Sequence, residues 1–178
     1  MDSINKQQPE SNRDNLSRSE AAEKMKELID KAKTCFFCTA NGTGPSDGVR
    51  PMSIQKIDED GVMWFLSATD SHKNEEIEDD SSVKLFFQGS AHSDFLYIKG
   101  RASISKDRKK IEELWEPMHK VWFTEGKDDP RISVIRVVPD EGYYWDTKHG
   151  NAIAGIKMMI GAMVGKTLDD SVEGTLTV

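Results

Sequence analysis

Val62-Met63-Trp64-Phe65-Leu66-Ser67-Ala68-Thr69-Asp70-Ser71-His72-Lys73 is the stretch that decides the fold. Its first six residues, five of them apolar, fit a buried strand, preceded by the hairpin signal Asp60-Gly61. The run empties into a hydroxyl-rich turn, and Lys73–Ile77 then reads as a short helix. Upstream, Val49–Ile57 is a second strand, so the two predict an antiparallel hairpin. Reflection about Asp60-Gly61 places Ile54 opposite Ser67 and Arg50 beside the turn.

Working outward, Thr34–Ala40 reads as a buried strand ending in the turn cluster Asn41-Gly42-Thr43-Gly44-Pro45. Ser82–Gln88, Phe95–Ile104, Ile132–Val138 and Gly142–Trp145 bring the total to about seven strands. Ser17 and Glu20 form a capping-box pattern, with Leu16 placed to staple onto Ala21. The helix they open carries Ala22, Met25, Leu28, Ile29 and Ala32 on one face. Lys106–Phe123 is also helical in pattern, and Pro117 is expected to kink or split it. Hairpins with few crossovers favour a mainly β (α+β) fold, an antiparallel barrel with a leading helix and short helical insertions. Residues 1–15 are expected to be a disordered lead-in and 16–150 the barrel. Residues 151–178 are expected to form a docking segment with a weakly structured acidic tail. Ile153, Ile156, Met159, Ile160 and Met163 would be its docking stripe, against the barrel or a partner subunit.

The chain has 178 residues and a net charge of -7, with a pI near 5.2. General attraction to nucleic acid or to an anionic membrane is therefore not expected. An anionic ligand would have to be held by a few well-placed cations. The N-terminus lacks the basic start and apolar run of a signal peptide, and no stretch nears the ~20 apolar residues of a membrane span. The cytoplasm is the expected compartment. Cys35 and Cys38 sit three apart in a strand, on opposite faces, and are expected to be free thiols. Gly161 and Gly165 enclose three residues, where a Walker A loop needs four. His72, His92, His119 and His149 have no ligand spacing, so no metal is expected. The runs Glu75–Asp80 and Lys127–Asp129 read as solvated faces.

The turn after the decisive strand carries the chemistry. Ser67, Thr69 and Ser71 supply hydroxyls, the helix start supplies free amides, and Lys73 supplies an ammonium. A phosphate monoester needs that set. A turn that only caps the next helix has the same composition. Arg50 is placed to clamp the same phosphate, or else to pair with a surface carboxylate. Pro51 marks an edge or irregular position.

These two stretches resemble the pyridoxamine 5'-phosphate oxidase-like FMN-binding split barrels, most closely the general stress protein 26 branch. Arg50-Pro51-Met52-Ser53-Ile54-Gln55 stands where the oxidases carry Arg-Met-Val-Leu-Leu-Lys. Phe65-Leu66-Ser67-Ala68-Thr69-Asp70-Ser71-His72-Lys73 stands where they carry Phe-Tyr-Thr-Asn-Tyr-x-Ser-x-Lys. The similarity spans about Ala21 to Trp145, in the same order of elements. It implies that Arg50, Ser71 and Lys73 bind the FMN phosphate, with His72 alongside. It further implies that Met52, Ser53, Phe65, Leu66 and Ser67 line the ribityl chain or the ring, with Trp145 near the flavin. A homodimer with flavin at its interface is implied, with Trp115, Trp122 and Phe123 either closing that interface or packing internally. Gln55 and Phe95 replace an oxidase lysine and glutamine, and the oxidases' C-terminal Trp-x-x-x-Arg-x-His-type segment has no counterpart beyond Trp145. Pyridoxamine phosphate oxidation itself is therefore not expected. The expected function is an FMN oxidoreductase acting on a small substrate or a nicotinamide donor. The alternative is a non-enzymatic flavin-sequestering stress protein. The residues single out no catalytic acid or base beyond Tyr144 and His149 as nearest candidates.

Overall fold

The computed structural model describes residues 12–150, 154, 156, 157, 159, 160 and 170–178. The chain order is β1 (Leu16–Ser17), α1 (Ser19–Ala32), β2 (Thr34–Thr39), β3 (Val49–Ser53), β4 (Lys56–Ile57) and β5 (Met63–Ala68). There follow α2 (His72–Asp79), β6 (Ser82–Gln88), β7 (Phe95–Ser105), α3 (Arg108–Leu114), two short 3-10 turns, β8 (Ile132–Thr147) and β9 (Ser171–Thr177). The strands run β3-β2-β6-β7-β8-β9-β1 across the sheet. The long strand β8 gives one edge to β7 and divides the other: its first half pairs with β5, its second with β9. Among the described residues the sheet does not close: β3 pairs only with β2, and β4 only with β5, so the barrel is split between β3 and β5.

That split corrects the simple hairpin. Asp60-Gly61 does turn the chain, with Gly61 N–H bonded to the Asp58 carbonyl and Gly61 at φ +77. Ile57 lies opposite Met63 and Lys56 opposite Trp64, and Gln55 N–H still reaches the Trp64 carbonyl at 2.9 Å. Ile54 then turns away and donates to the Lys33 carbonyl, so it is not opposite Ser67. Upstream of that point Pro51 has no N–H to continue a ladder toward β5. Arg50–Ser53 consequently face β5 across open space.

α1 lays Ala21, Ala22, Met25, Leu28 and Ile29 against the barrel. The core beneath includes Phe37 and Phe65, edge to face with centroids 5.4 Å apart, together with Leu85, Ile98, Ile135 and Val137. The helix begins at Ser19 and not through the Ser17 capping box. Ser17 is drawn into parallel pairing with Thr177, and Arg18 N–H bonds the Thr177 carbonyl at 2.7 Å. Asp14 N–H and the Asn15 side chain also bond β9, so residues 12–15 are structured, while 1–11 of the expected lead-in lie outside the described residues. The expected weakly structured tail is strand β9, with Leu176 fully buried. Of the expected docking stripe, Ile156, Met159 and Ile160 are exposed, and Ile153 and Met163 lie outside the described residues.

Pro117 splits the 106–123 helix as expected. α3 stops at Leu114, and a 3-10 turn begins at Pro117. The segment packs Ile111, Leu114 and Phe123 onto Ile132 and Val134 of β8, with Trp64, Leu66 and Trp115 at the margin. Asp129 is buried and grips Arg131 through both carboxylate oxygens, so it is no part of a solvated run. This packing sets the 3-10 turn beside the split.

Phe65 is wholly buried in the core. Phe65→Ala is expected to cost about 3–5 kcal/mol of stability, read as a lower urea midpoint. Anion affinity of the folded fraction should be unchanged; a large loss would place Phe65 at the binding site instead.

Candidate functional site

A cavity of about 480 Å³ occupies the split. β3 contributes Arg50, Pro51, Met52 and Ser53, β5 contributes Leu66–Ala68, and α2 contributes Lys73. Gln55, His119, Trp122 and Phe123 complete the wall.

The electrostatic centre is a carboxylate that the acidic run 75–80 conceals. Glu76 is buried, with a side chain 2% exposed, and its partners come from far earlier in the chain. Thr39 Oγ1 donates to Oε2 at 2.6 Å, and Thr43 donates to Oε1 through both N–H and Oγ1 at 2.7 Å. Arg50 Nη2 sits 2.7 Å from Oε2. Burial alone would raise the Glu76 pKa, but the Thr39, Thr43 and Arg50 hydrogen bonds outweigh it and hold the value at about 2. Thr43 reaches the site because its loop is folded tightly. A Cβ on Gly42 would lie 2.2 Å from the Asp47 carbonyl carbon, so only glycine fits there.

Glu76 uses one end of the Arg50 guanidinium. The other, Nη1, is buried and has no hydrogen-bond partner among the described residues. Lys73, half-buried on the same cavity, has no ion pair or hydrogen bond among them either. Desolvation and then the Arg50 charge lower its pKa, Glu76 opposes both only in part, and the value comes to about 8. Two cations against one committed carboxylate leave an unneutralised positive charge in a cavity. An anion satisfies both orphaned groups at once.

The turn is held from behind by a second network. Ser67 Oγ donates to Asn74 Oδ1 at 2.8 Å, Asn74 Nδ2 to Ser133 Oγ at 2.9 Å, and Ser133 Oγ to the Ser67 carbonyl at 3.1 Å. Ser71 Oγ bonds Asn74 Oδ1 at 3.2 Å and caps no backbone amide, so this turn is more than a helix cap. The N–H groups of His72 and Lys73, at the start of α2, bond no backbone oxygen among the described residues.

Of the residues proposed from sequence, Arg50, Met52, Ser53, Leu66, Ser67 and Lys73 share the cavity wall. Ser71 adjoins it through Ser67, at 3.2 Å. The His72 side chain is 82% exposed and turned to Glu75, away from the lining. The Phe65 side chain points into the core, on the face of β5 opposite Leu66, and does not line the cavity. Trp145 lines a different cavity of about 460 Å³, with Phe36, Phe86 and Tyr97; Pro51 borders both. Tyr144 is buried and donates to the Asp14 carbonyl, and His149 is paired with Asp170, so neither acid–base candidate lines the split. Glu76, Asn74 and His119 were not legible as site residues. A signal was available for Asn74, which lies three residues before Ile77, the apolar anchor of α2.

A family model described as pyridoxamine 5'-phosphate oxidase like matches residues 20–169. The chain belongs to that family. It is 29% identical to protein bli-3 of Neurospora crassa over 53% of this chain and 50% of that protein. The chain thus spans about half the length of the curated relative it matches. Among solved structures, a Jannaschia protein assigned to general stress protein 26 superposes with a TM-score of 0.68 at 22% identity, covering 88% of this chain and 96% of that one. The general stress FMN/FAD binding protein of Xanthomonas citri gives 0.60 at 23% identity, covering 69% and 86%. These neighbours share the family's split barrel. Among the described residues, no helix is long and apolar enough to cross a membrane.

Removing the Glu76 charge should cost the fold about 3 kcal/mol in Glu76→Gln, because Arg50 would then be buried unpaired. The folded carboxyl titrates near 2 and an ordinary one near 4.5, so the unfolded chain takes the proton first. The stability gap between wild type and Glu76→Gln should therefore be full above about pH 4.5 and close as the pH falls toward 2. A gap independent of pH in acid unfolding would refute the role of this carboxylate.

Proposed function

We propose that this protein is a stress-related flavoprotein that binds FMN in the split, with oxidoreductase activity on a small substrate. The observation that carries the reading is the pair Arg50 and Lys73, one with a buried orphan Nη1 and the other an unpartnered ammonium, facing one cavity. Its volume of about 480 Å³ lies in the ordinary range for a small-molecule or cofactor site. The matched family and the flavin named for the Xanthomonas citri protein point to the same ligand class.

Arg50, fixed by Glu76, would hold the phosphate with Lys73 and the free amides at the start of α2. Ser67, locked by Asn74 and Ser133, would keep the turn in place beneath it. Met52, Leu66, Trp122 and Phe123 would exclude water from the remaining length of the cavity. The bound flavin would supply the hydride and electron transfer chemistry, and the protein its binding and orientation. Bleaching of the flavin absorbance by NADH or NADPH tests for turnover; its absence with both donors would favour the flavin-sequestering reading.

We also propose a homodimer built on the face around Trp145. Phe36, Phe86 and Trp145, on β2, β6 and β8, are 57%, 46% and 43% exposed around one cavity, an apolar patch that a second copy would cover and that would close against Pro51 at the split. Phe36→Glu should convert the dimer to monomer in sedimentation, and a monomeric wild type would end this proposal.

Lys73 should trade stability for binding. Its folded pKa, about 8, lies below the ordinary 10.5, so the unfolded chain holds more protons between those values. The ligand-free fold should gain stability as pH rises across that window, and Lys73→Met should remove this slope and raise the ligand-free midpoint. The same variant should bind FMN roughly 10- to 100-fold more weakly. Wild-type affinity should decline as pH rises through about 8, where the ammonium loses its proton. Flavin retention unchanged in Lys73→Met would put the phosphate elsewhere.

A further inference from the structure

Beyond the phosphate grip, the cavity wall holds a histidine whose two ring nitrogens have different fates. His119 is 5% exposed and begins the last turn before Trp122 and Phe123. Its Nδ1 accepts the Glu116 backbone N–H at 2.8 Å. A nitrogen that accepts cannot carry the proton, so the neutral ring must carry it on Nε2. Burial lowers the pKa of this histidine, and the neighbouring Glu116 charge opposes that only in part, which favours the neutral ring. Trp115 and Trp122, with centroids 5.4 and 6.5 Å from the imidazole, fence its plane.

Nε2 has no partner among the described residues, yet it is not one of the side-chain atoms sealed from solvent without a bond. It is therefore not sealed from solvent, and His119 lines both the split and an adjoining hollow. The hollow is also lined by Ser53, Gln55 and Trp122, and by neither Arg50 nor Lys73. His119 accordingly stands toward the Ser53–Gln55 end of the split, on the order of 10 Å along β3 from Arg50. A histidine kept only for packing would have both nitrogens satisfied inside the protein. This one spends Nδ1 on the backbone and leaves a directed donor on the ligand's side.

We infer that His119 is a ligand-positioning residue: it presents a single N–H donor, Nε2–H, to an acceptor atom on the ring of a phosphate-bearing ligand whose phosphate lies at Arg50 and Lys73. The inference rests on the flavin reading and assigns the ring end of the site, as that reading assigns the phosphate end. The donor would supply orientation and electronic tuning, since a hydrogen bond to the ring favours its more electron-rich, reduced form.

The test compares wild type, His119→Phe and His119→Gln. Fluorescence titration with FMN, the midpoint potential of the bound flavin and a parallel titration with inorganic phosphate are measured for each. His119→Phe should weaken FMN about tenfold, lower the potential and leave phosphate affinity unchanged. His119→Gln, which keeps an amide donor and an acceptor, should recover most of both losses. FMN affinity and potential unchanged in His119→Phe would overturn the inference and leave the flavin reading intact. Equal losses for FMN and for phosphate would also overturn it, by assigning His119 a structural role. A wild-type protein that takes up no FMN would overturn both readings. Should His119→Phe fail to fold, ¹⁵N-histidine NMR of the wild type decides. The His119 Nε2–H resonance, assigned by replacing the other three histidines, should move on adding FMN and stay fixed on adding phosphate; no movement with FMN overturns the inference.

Discussion

The buried carboxylate of Glu76 is the constraint from which the rest of the site follows. It ties α2, which carries Glu76 itself, to the paired strands β2 and β3 through Thr39 and Arg50, and to the loop between them through Thr43. A carboxylate in that position is costly unless every oxygen is occupied. The three hydroxyl and amide donors occupy it almost completely and leave room for one end of a guanidinium. Arg50 is thereby oriented without being used up. Its free end, and the ammonium of Lys73, then impose a second cost on the ligand-free fold. Such uncompensated charge persists where binding and stability are in conflict.

The split is the geometric counterpart of that charge arrangement. Had β3 continued alongside β5, its side chains would have packed into a closed barrel and left no cavity. Pro51 cannot donate to such a ladder, and Ile54 spends its N–H on Lys33 at the end of α1. β4 then rejoins β5 for only two residues. The resulting gap is walled by backbone held firmly on both sides, β3 by β2 and β5 by β8. Rigid walls with an open seam allow a ligand to be gripped along its length by elements that do not themselves move.

Much of this was legible in the residues, because strong local signals agree with the fold. Asp60-Gly61, Pro117 and the apolar runs at 34–40, 82–88 and 95–104 each fix an element by chemistry that operates within a few positions. The association of Arg50 with the Ser67 turn was also legible, although the route was wrong: the two meet across a gap and not across a ladder. What stayed hidden depends on distant partners. Ser17 has the composition of a cap, but Thr177, far along the chain, takes it into a sheet. Ser171–Thr177 looks like a polar tail until the free edge of β8 pairs with it. Glu76 stands among Glu75, Glu78 and Asp79, and nothing local separates the buried carboxylate from the three exposed ones. Burial is a property of the assembled surface, and helix phase does not supply it: Glu76 and Glu78 flank Ile77 symmetrically, yet only Glu76 is buried.

The acidic character of the chain sharpens the meaning of the cavity. With a net charge of -7, long-range electrostatics repel an anionic ligand and give it no steering toward the site. At physiological salt that repulsion is screened beyond about 8 Å, whereas the field of Arg50 and Lys73 acts at contact in a partly desolvated space. Recognition is therefore decided inside the split. A free anion engages the cations alone, while a larger ligand also covers Met52, Leu66 and Trp122 and removes apolar surface from water. On the flavin reading, discrimination would come from that combination of one anionic end and one flat apolar body. A charge of the same size on a small polar molecule would meet the cations but leave the rest of the seam wet.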